Sequence, residues 1–407
     1  MTTLPRPRAG RLRAVFARPA YRRLWIARTA SQWGDIFATV ALSLLVLDLT
    51  GSALGVSAVI LAEILPVLLL APLAGTLVDR LPRVRVMITA DLLRAGLAGS
   101  LVLTSGNVLA VYVIAFGLSV GAVLFNPAAS SALPALVDDE ELIAANSAIW
   151  SAAVLSQIAL APTAGVLYAT FGARPAFALN AASFLVSGAV LARLRLPGTA
   201  APTARRGWFA DAAAGVRLLV GDRLLRALGV GQLLAALSAG ATSALLVVLA
   251  REHLGLPSSG YGLLLGAIGV GAVLGPLLLT RLVSNPRRAA FVFGPYLLRG
   301  GVDFVLAAFA ALPVALVALA AYGLGTSSGA VTFNSLLQSH TPDEARGRVF
   351  ASFDLLWQLG RLVSLLVGGF VAEAFGIQAV YYAGGCLLVA AAIVGWTGLH
   401  GTRPQPA

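Results

Sequence analysis

Long apolar runs broken by short, arginine-bearing connectors dominate the chain. A membrane-spanning helix needs roughly 20 mostly apolar residues. Twelve runs reach that length: 24–49, 53–78, 86–105, 108–131, 143–170 and 174–194, then 224–250, 257–283, 289–311, 313–336, 348–374 and 377–398. One long polar connector, LRLPGTAAPTARRGWFADAAAGVRLLVGDR, separates the two groups of six. Its Pro, Thr and Arg content reads as a mobile linker, with Trp208 to Val220 as a short interfacial helix. The pattern predicts an all-α integral membrane protein with twelve transmembrane helices in two pseudo-symmetric six-helix bundles. A basic cytoplasmic tail covers 1–23, the bundles cover 24–194 and 224–398, a cytoplasmic linker covers 195–223, and a second tail covers 399–407.

Composition agrees. The chain is 58% hydrophobic and 11% charged, against about 25% charged in soluble domains. Its net charge of +12 comes with no lysine at all. A basic excess on a soluble chain points to nucleic acid, but here the arginines sit in connectors, which is the positive-inside pattern. Arg6, Arg8, Arg11, Arg13, Arg18, Arg22 and Arg23 precede the first span, and Arg80, Arg83 and Arg85 lie between the second and third. Only Arg174 and Arg251 fall on the opposite side. This asymmetry predicts a multi-pass protein of the cytoplasmic (inner) membrane with both termini in the cytoplasm and no nucleic-acid partner. The first run is too long for a cleaved signal peptide. Cys386 is the single cysteine, and His253, His340 and His400 are scattered, so no disulfide, metal site or catalytic triad is expected. No phosphate loop appears. Gly269, Gly271 and Gly275 lack the spacing of a dinucleotide fingerprint and read instead as helix packing, with Gly271 and Gly275 as a G-x-x-x-G pair. The chain is therefore expected to be neither an enzyme nor a cofactor binder.

The second half repeats the first at an offset near 204. APLAGTLVDRLPR (71–83) faces GPLLLTRLVSNPR (275–287), and LLRAG (92–96) faces LLRGG (297–301). SVGAVLFNP (119–127) faces SSGAVTFNS (327–335). Each half has an even number of spans, so both copies insert in the same orientation around an axis along the membrane normal.

These features carry a family resemblance. Two six-helix halves, a long central loop and the connector Gly75-x-x-x-Asp79-Arg80-x-x-Arg83 resemble the major facilitator superfamily of secondary transporters, with Pro82 where its signature has a second glycine. WGDIFATVAL, LTGSALG, DLLRAG and FNPAASSALPALVDDEELIAANS look like the proton-linked drug exporters, nearest to macrolide and siderophore exporters. The fifth span reads APTAG where such antiporters carry G-P-x-x-G-G, so Pro162 and Gly165 remain while Ala161 and Ala164 replace glycines. In the second-half connector, Val283 and Ser284 stand in for Asp79 and Arg80. The resemblance implies proton-driven efflux of amphiphilic organic molecules by a monomer in the lipid bilayer, working by alternating access. A dedicated exporter of one natural product, such as a siderophore, and a non-transporting sensor or scaffold are the competing readings. It also implies a cytoplasmic gate built from Gly75, Asp79, Arg80 and Arg83, with Asp354 and Arg361 at the eleventh span.

Ionisable residues inside membrane spans mark function by default. Arg28, Gln32, Asp35 and Thr39 share one face of the first span, and Asp354, Gln358 and Arg361 share one face of the eleventh. Asp35, near mid-span, and Glu63, with no charged neighbour in its own helix, are the candidates for substrate or proton handling. Asp91/Arg94 and Arg299/Asp303 are spaced to neutralise each other within their helices, which reads as structural. Asp354 reads as either gate-associated or snorkelling. Asn126, Asn334, Trp33, Tyr112 and Tyr322 offer polar or aromatic contacts in an otherwise alanine- and leucine-rich lining.

Overall fold

The computed structural model describes residues 8–196, 216–282 and 289–399, without the side chains of 8–11, Pro72, Gly75, Thr76, Asp79, 282, 289, 290, Asp343, Glu344, 398 and 399. Among the described residues, a short helix α1 (Arg8–Ala17) leads into twelve long ones. These are α2 (Pro19–Thr50), α3 (Ala53–Arg80), α4 (Arg83–Thr104), α5 (Val108–Ala132), α6 (Leu142–Phe171), α7 (Arg174–Leu191), α8 (Arg223–Ala244), α9 (Ser258–Leu282), α10 (Ala289–Ala308), α11 (Leu312–His340), α12 (Asp343–Phe375) and α13 (Ile377–Leu399). All twelve are long and apolar enough to cross a membrane. Of the expected interfacial helix, residues 216–221 are helical and 208–215 lie outside the described residues.

Local chemistry sets the helix ends. Asn107 caps α5 by accepting from the Ala110 N–H at 3.1 Å, and Asp222 caps α8 by accepting from Leu225 N–H at 2.8 Å. The described glycines with positive φ are Gly51, Gly172, Gly255 and Gly376, at 59°, 72°, 61° and 83°. They form two pairs, Gly51/Gly255 and Gly172/Gly376, each at the repeat offset. Each follows a helix or turn in a left-handed conformation that a side chain disfavours. The repeat is therefore written into the backbone as well as the sequence.

By contact the chain forms two compact units, residues 1–45 with 62–203, and residues 46–61 with 204–407. In the first, α4 packs on α5 and α7, and α1 packs on α6. In the second, α10 packs on α11 and α13, repeating the α4 arrangement, while α8 packs on α12 and α13 and α9 on α11. The residues read as a basic tail include α1, whose Val15 is fully buried and whose Phe16 makes edge-to-face contacts with Tyr21 and Trp25 at 5.5 and 5.2 Å. The second unit takes in 46–61 through an Arg251–Asp48 ion pair at 3.2 Å and a Ser52–Glu373 hydrogen bond at 2.9 Å.

The tightest helix approach in the second unit is α9 on α11. A Cβ on Gly271 would collide with the Ala320 carbonyl, and one on Gly323 with the Ile268 carbonyl. The neighbour in each case is rigid backbone, so the glycines set the distance between these helices. Gly271→Leu is expected to lower the thermal unfolding temperature of the detergent-solubilised protein or its folded yield, whereas Gly96→Ala, with nothing within 4 Å of the added carbon, is expected to leave both unchanged.

Candidate functional site

The polar face read from α2 is the part-open face of that helix. Ala27, Ser31, Gly34, Ala38 and Ala41 are buried, while Arg28, Gln32 and Asp35 are half-buried and Thr39 is exposed. Small residues on the buried face let α7 come close. A Cβ on Gly34 would lie 2.8 Å from the Asn180 Cα. The next residue, Asp35, reaches α4, where its carboxylate lies 3.9 Å from Arg94 Nη1. Arg94 Nη2 donates to Asp91 at 2.6 Å. The Asp35 side chain is 49% exposed, whereas those of Arg94 and Asp91 are 5% and 0% exposed.

Arg94 is wrapped on its remaining sides. Its guanidinium carbon lies 4.1 Å from the Phe184 ring centroid and 4.8 Å from that of Phe125. Gly121 on α5 makes room for its stem, since a Cβ there would meet Arg94 Cγ at 2.5 Å. One guanidinium thus faces two carboxylates, one sealed and one accessible. With both acids ionised the cluster carries one excess negative charge, which a proton on Asp35 removes.

Arg299 on α10 is the repeat counterpart of Arg94. Gly325 lies against its stem as Gly121 lies against that of Arg94, with a Cβ there 3.2 Å from Arg299 Cγ, although the sequence match of 119–127 with 327–335 sets Gly329 opposite Gly121. Arg299 Nη2 donates to the Tyr322 hydroxyl at 3.0 Å, and the guanidinium sits 4.8 Å from that ring's centroid. Asp303 accepts from Ser238 at 3.3 Å. Among the described residues the Arg299/Asp303 pair read from the sequence is therefore not a direct ion pair: both side chains are buried, Arg299 donating to α11 and Asp303 accepting from α8. Tyr322, read as a lining contact, is 9% exposed and serves as the partner of Arg299.

The other expected residues scatter. Glu63 is half-buried on α3, and its carbonyl accepts from Ser119 on α5. Asn126 is exposed on α5. Trp33 donates to Ser156 at 2.8 Å. Arg83 donates to the Ser131 carbonyl at 2.9 Å, and Arg80 borders an apolar cavity of about 310 Å³ with Leu73 and Leu77. Gly75 and Asp79 lie on α3, and their side chains are outside the described residues. Pro162 and Gly165 lie within α6, with Gly165 buried. Arg361 is half-buried on α12. Asn334 and Asp354 line one cavity of about 310 Å³ in the second unit, together with Gln232 and Trp357.

Polar contacts at the start of the first span of each half were not anticipated. Arg18 pairs with Asp138 and, at 2.9 Å, with Glu141 in the turn before α6. At the repeat-equivalent position Asp222 pairs with His340 at 3.1 Å. The 204-residue offset between Arg18 and Asp222 was the available signal, hidden because the charge changes sign. Burial pushes the Asp222 carboxyl up, but the Leu225 N–H and His340 outweigh it and hold the group below the usual carboxylate range.

Twelve spans arranged as two like halves, each packed around a buried arginine, define a multi-pass membrane transporter of the major facilitator type. Residues 12–399 match the family described as transmembrane secretion effector, and the chain belongs to that family. It is 30% identical over 383 residues to the multidrug efflux pump Tap of Mycobacterium tuberculosis, with 90% of each chain covered. It is 22% identical over 382 residues to macrolide efflux protein A of Streptococcus pyogenes, covering 91% of this chain and 94% of that one. Among solved structures, a bacterial homologue of the iron transporter ferroportin in an inward-facing state matches with a TM-score of 0.75 at 18% identity, over 94% of this chain and 98% of that one. The nucleoside transporter NupG matches with a TM-score of 0.76 at 12% identity, over 94% and 100%. These two structures share the fold.

Asp222→Ala removes a helix cap and the hydrogen-bonded contact to His340 together and is expected to cost about 1 kcal/mol of stability. The folded carboxyl titrates lower than the unfolded one, so its contribution is present above the unfolded pKa and is lost as pH falls through the folded value. The gap between wild type and variant in thermal unfolding is expected to persist from about pH 7 to pH 5 and to close only below about pH 4.

Proposed function

We propose that the protein exports amphiphilic organic molecules across the cytoplasmic membrane in exchange for protons, by alternating access, with both termini in the cytoplasm. The observation that carries the proton coupling is the cluster in which Arg94 serves both sealed Asp91 and accessible Asp35. A carboxylate in a low-dielectric setting is costly when charged and tolerable when neutral. Protonating Asp35 leaves Arg94 and Asp91 as a balanced pair. Deprotonating it restores the excess negative charge, so each protonation state favours a different arrangement of the helices around it. The membrane potential adds about 2.3 kcal/mol per charge per 100 mV to inward proton movement. Gln32 and Arg28, on the same half-buried face of α2, are the polar groups a substrate next to Asp35 would meet.

Export as the direction, and drugs or other amphiphiles as cargo, rest on likeness to Tap and to macrolide efflux protein A. The inward location of the termini rests on the arginine asymmetry. Gly75, Asp79, Arg80 and Arg83 are assigned to a cytoplasmic latch, because the second-half connector keeps arginines for anchoring but lacks Gly75, Asp79 and Arg80.

In inverted vesicles with an acid interior, Asp35→Asn is expected to reduce pH-driven substrate accumulation at least tenfold while leaving gradient-independent exchange intact. Full accumulation by this variant, with loss in Glu63→Gln instead, would move the coupling to Glu63. Full accumulation by both would remove it from these two residues. Asp79→Asn is expected to insert at wild-type levels yet slow transport, and unchanged efflux kinetics would reduce the connector to a topological anchor.

A further inference from the structure

The cavity of the second unit has chemistry that the proton-coupling cluster does not use. It opens between α8, α10, α11 and α12, with a volume of about 310 Å³. On α12, Phe350, Asp354 and Trp357 follow one another at i, i+4 and i+7, so they share one face. All three line the cavity, as do Phe353 and Phe333, which meet edge to face at 5.3 Å and 82°. Asp354 is exposed to this space, and among the described residues no arginine or histidine lies within ion-pair distance of it. Arg299 also borders the cavity, but it is 5% exposed and committed to Tyr322, with Asp303 one turn on. The charge presented to an occupant is therefore negative.

A carboxylate set between aromatic rings is a receptor for positive charge. The ring faces attract a cation through their quadrupoles, most strongly when water is excluded, and the carboxylate adds a direct Coulomb term. A compact, strongly hydrated ion would lose too much solvation among these rings. A diffuse organic cation, whose charge is already spread over an apolar surface, loses little. We propose that this cavity is a binding subsite for lipophilic organic cations, with Asp354 as the counter-ion and Trp357 and Phe350 as the stacking faces. Asn334, whose amide donates to the Ala330 carbonyl at 2.9 Å, presents a side-chain oxygen with no hydrogen-bond donor among the described residues, able to accept from a protonated amine.

This subsite names a substrate class for the export reading and rests on that reading only for its physiological meaning, because binding is measurable without transport. Purified full-length protein in detergent would be titrated with tetraphenylphosphonium, neutral triphenylphosphine oxide and tetraphenylborate by isothermal calorimetry. The wild type is expected to bind the phosphonium at least tenfold more tightly than the neutral and anionic probes. Asp354→Asn is expected to weaken phosphonium binding about tenfold, about 1.4 kcal/mol, while leaving the neutral probe unaffected. Trp357→Leu is expected to weaken both the phosphonium and the neutral probe. Thermal unfolding without ligand checks that each variant is folded, and Asp354→Glu should restore phosphonium binding. Equal affinity of the wild type for the three probes, or an Asp354→Asn protein that is folded and binds the phosphonium as wild type does, would overturn the subsite. Either result would leave the vesicle test of proton-driven export standing on its own.

Discussion

A guanidinium held inside an apolar helical bundle is the constraint around which each half is built. An arginine at mid-membrane depth costs about 2.5–3.5 kcal/mol even by lenient insertion scales, and removing the partner of a buried charge costs about 3–5 kcal/mol. The third span of each half nevertheless carries one, Arg94 in the first and Arg299 in the second, both 5% exposed or less. The surroundings follow from that necessity. Each stem needs a neighbour with no side chain, and Gly121 and Gly325 supply it, each on the fourth span of its half. Each cationic face needs an aromatic ring, and Phe125, Phe184 and Tyr322 supply them. The packing of α4 on α5 and α7, and of α10 on α11 and α13, is the same solution used twice.

What differs is how the charge is balanced. In the second half Arg299 bonds a neutral phenol, with Asp303 nearby on its own helix and sealed. In the first half Arg94 bonds a sealed carboxylate directly and has a second, accessible one in reach. The Arg94 arrangement is over-supplied with negative charge and so has a reason to take up a proton. Among the described residues the Arg299 arrangement has no accessible acid, and the exposed carboxylate of Asp354 on α12 sits instead among aromatic rings. A duplicated scaffold thus carries two chemically distinct acidic sites.

Much of the architecture was legible because lipid removes alternatives. With no water to satisfy backbone groups, a long apolar run must be helical, so twelve runs gave twelve helices. The polar face of the first span was legible for the same reason, since a 3.6-residue period has one geometric meaning. The partner of Asp35 was not. Arg94 is 59 residues away on another helix, and its approach to Asp35 is a tertiary fact. Nor was the fate of Arg299 and Asp303, where an i, i+4 spacing permits an ion pair without compelling one. Tyr322 and Ser238, on other helices, offered better-placed partners.

The repeat also separates features that geometry dictates from those that only electrostatics dictates. Gly51/Gly255 and Gly172/Gly376 keep both residue type and offset, because a left-handed backbone position has few alternatives to glycine. Gly121 and Gly325 each face an arginine stem, whose place a side chain there would occupy. The pairs at the starts of α2 and α8 behave otherwise. Arg18 faces Asp138 and Glu141, while Asp222, in the equivalent position, faces His340. A polar contact requires complementary groups and an approach of a few ångströms, but is indifferent to which side supplies the carboxylate. The reversed pair gains one thing the original lacks, since an aspartate at that position also caps the following helix. The position is therefore fixed by the fold, while its charge is free to be reassigned to a second task.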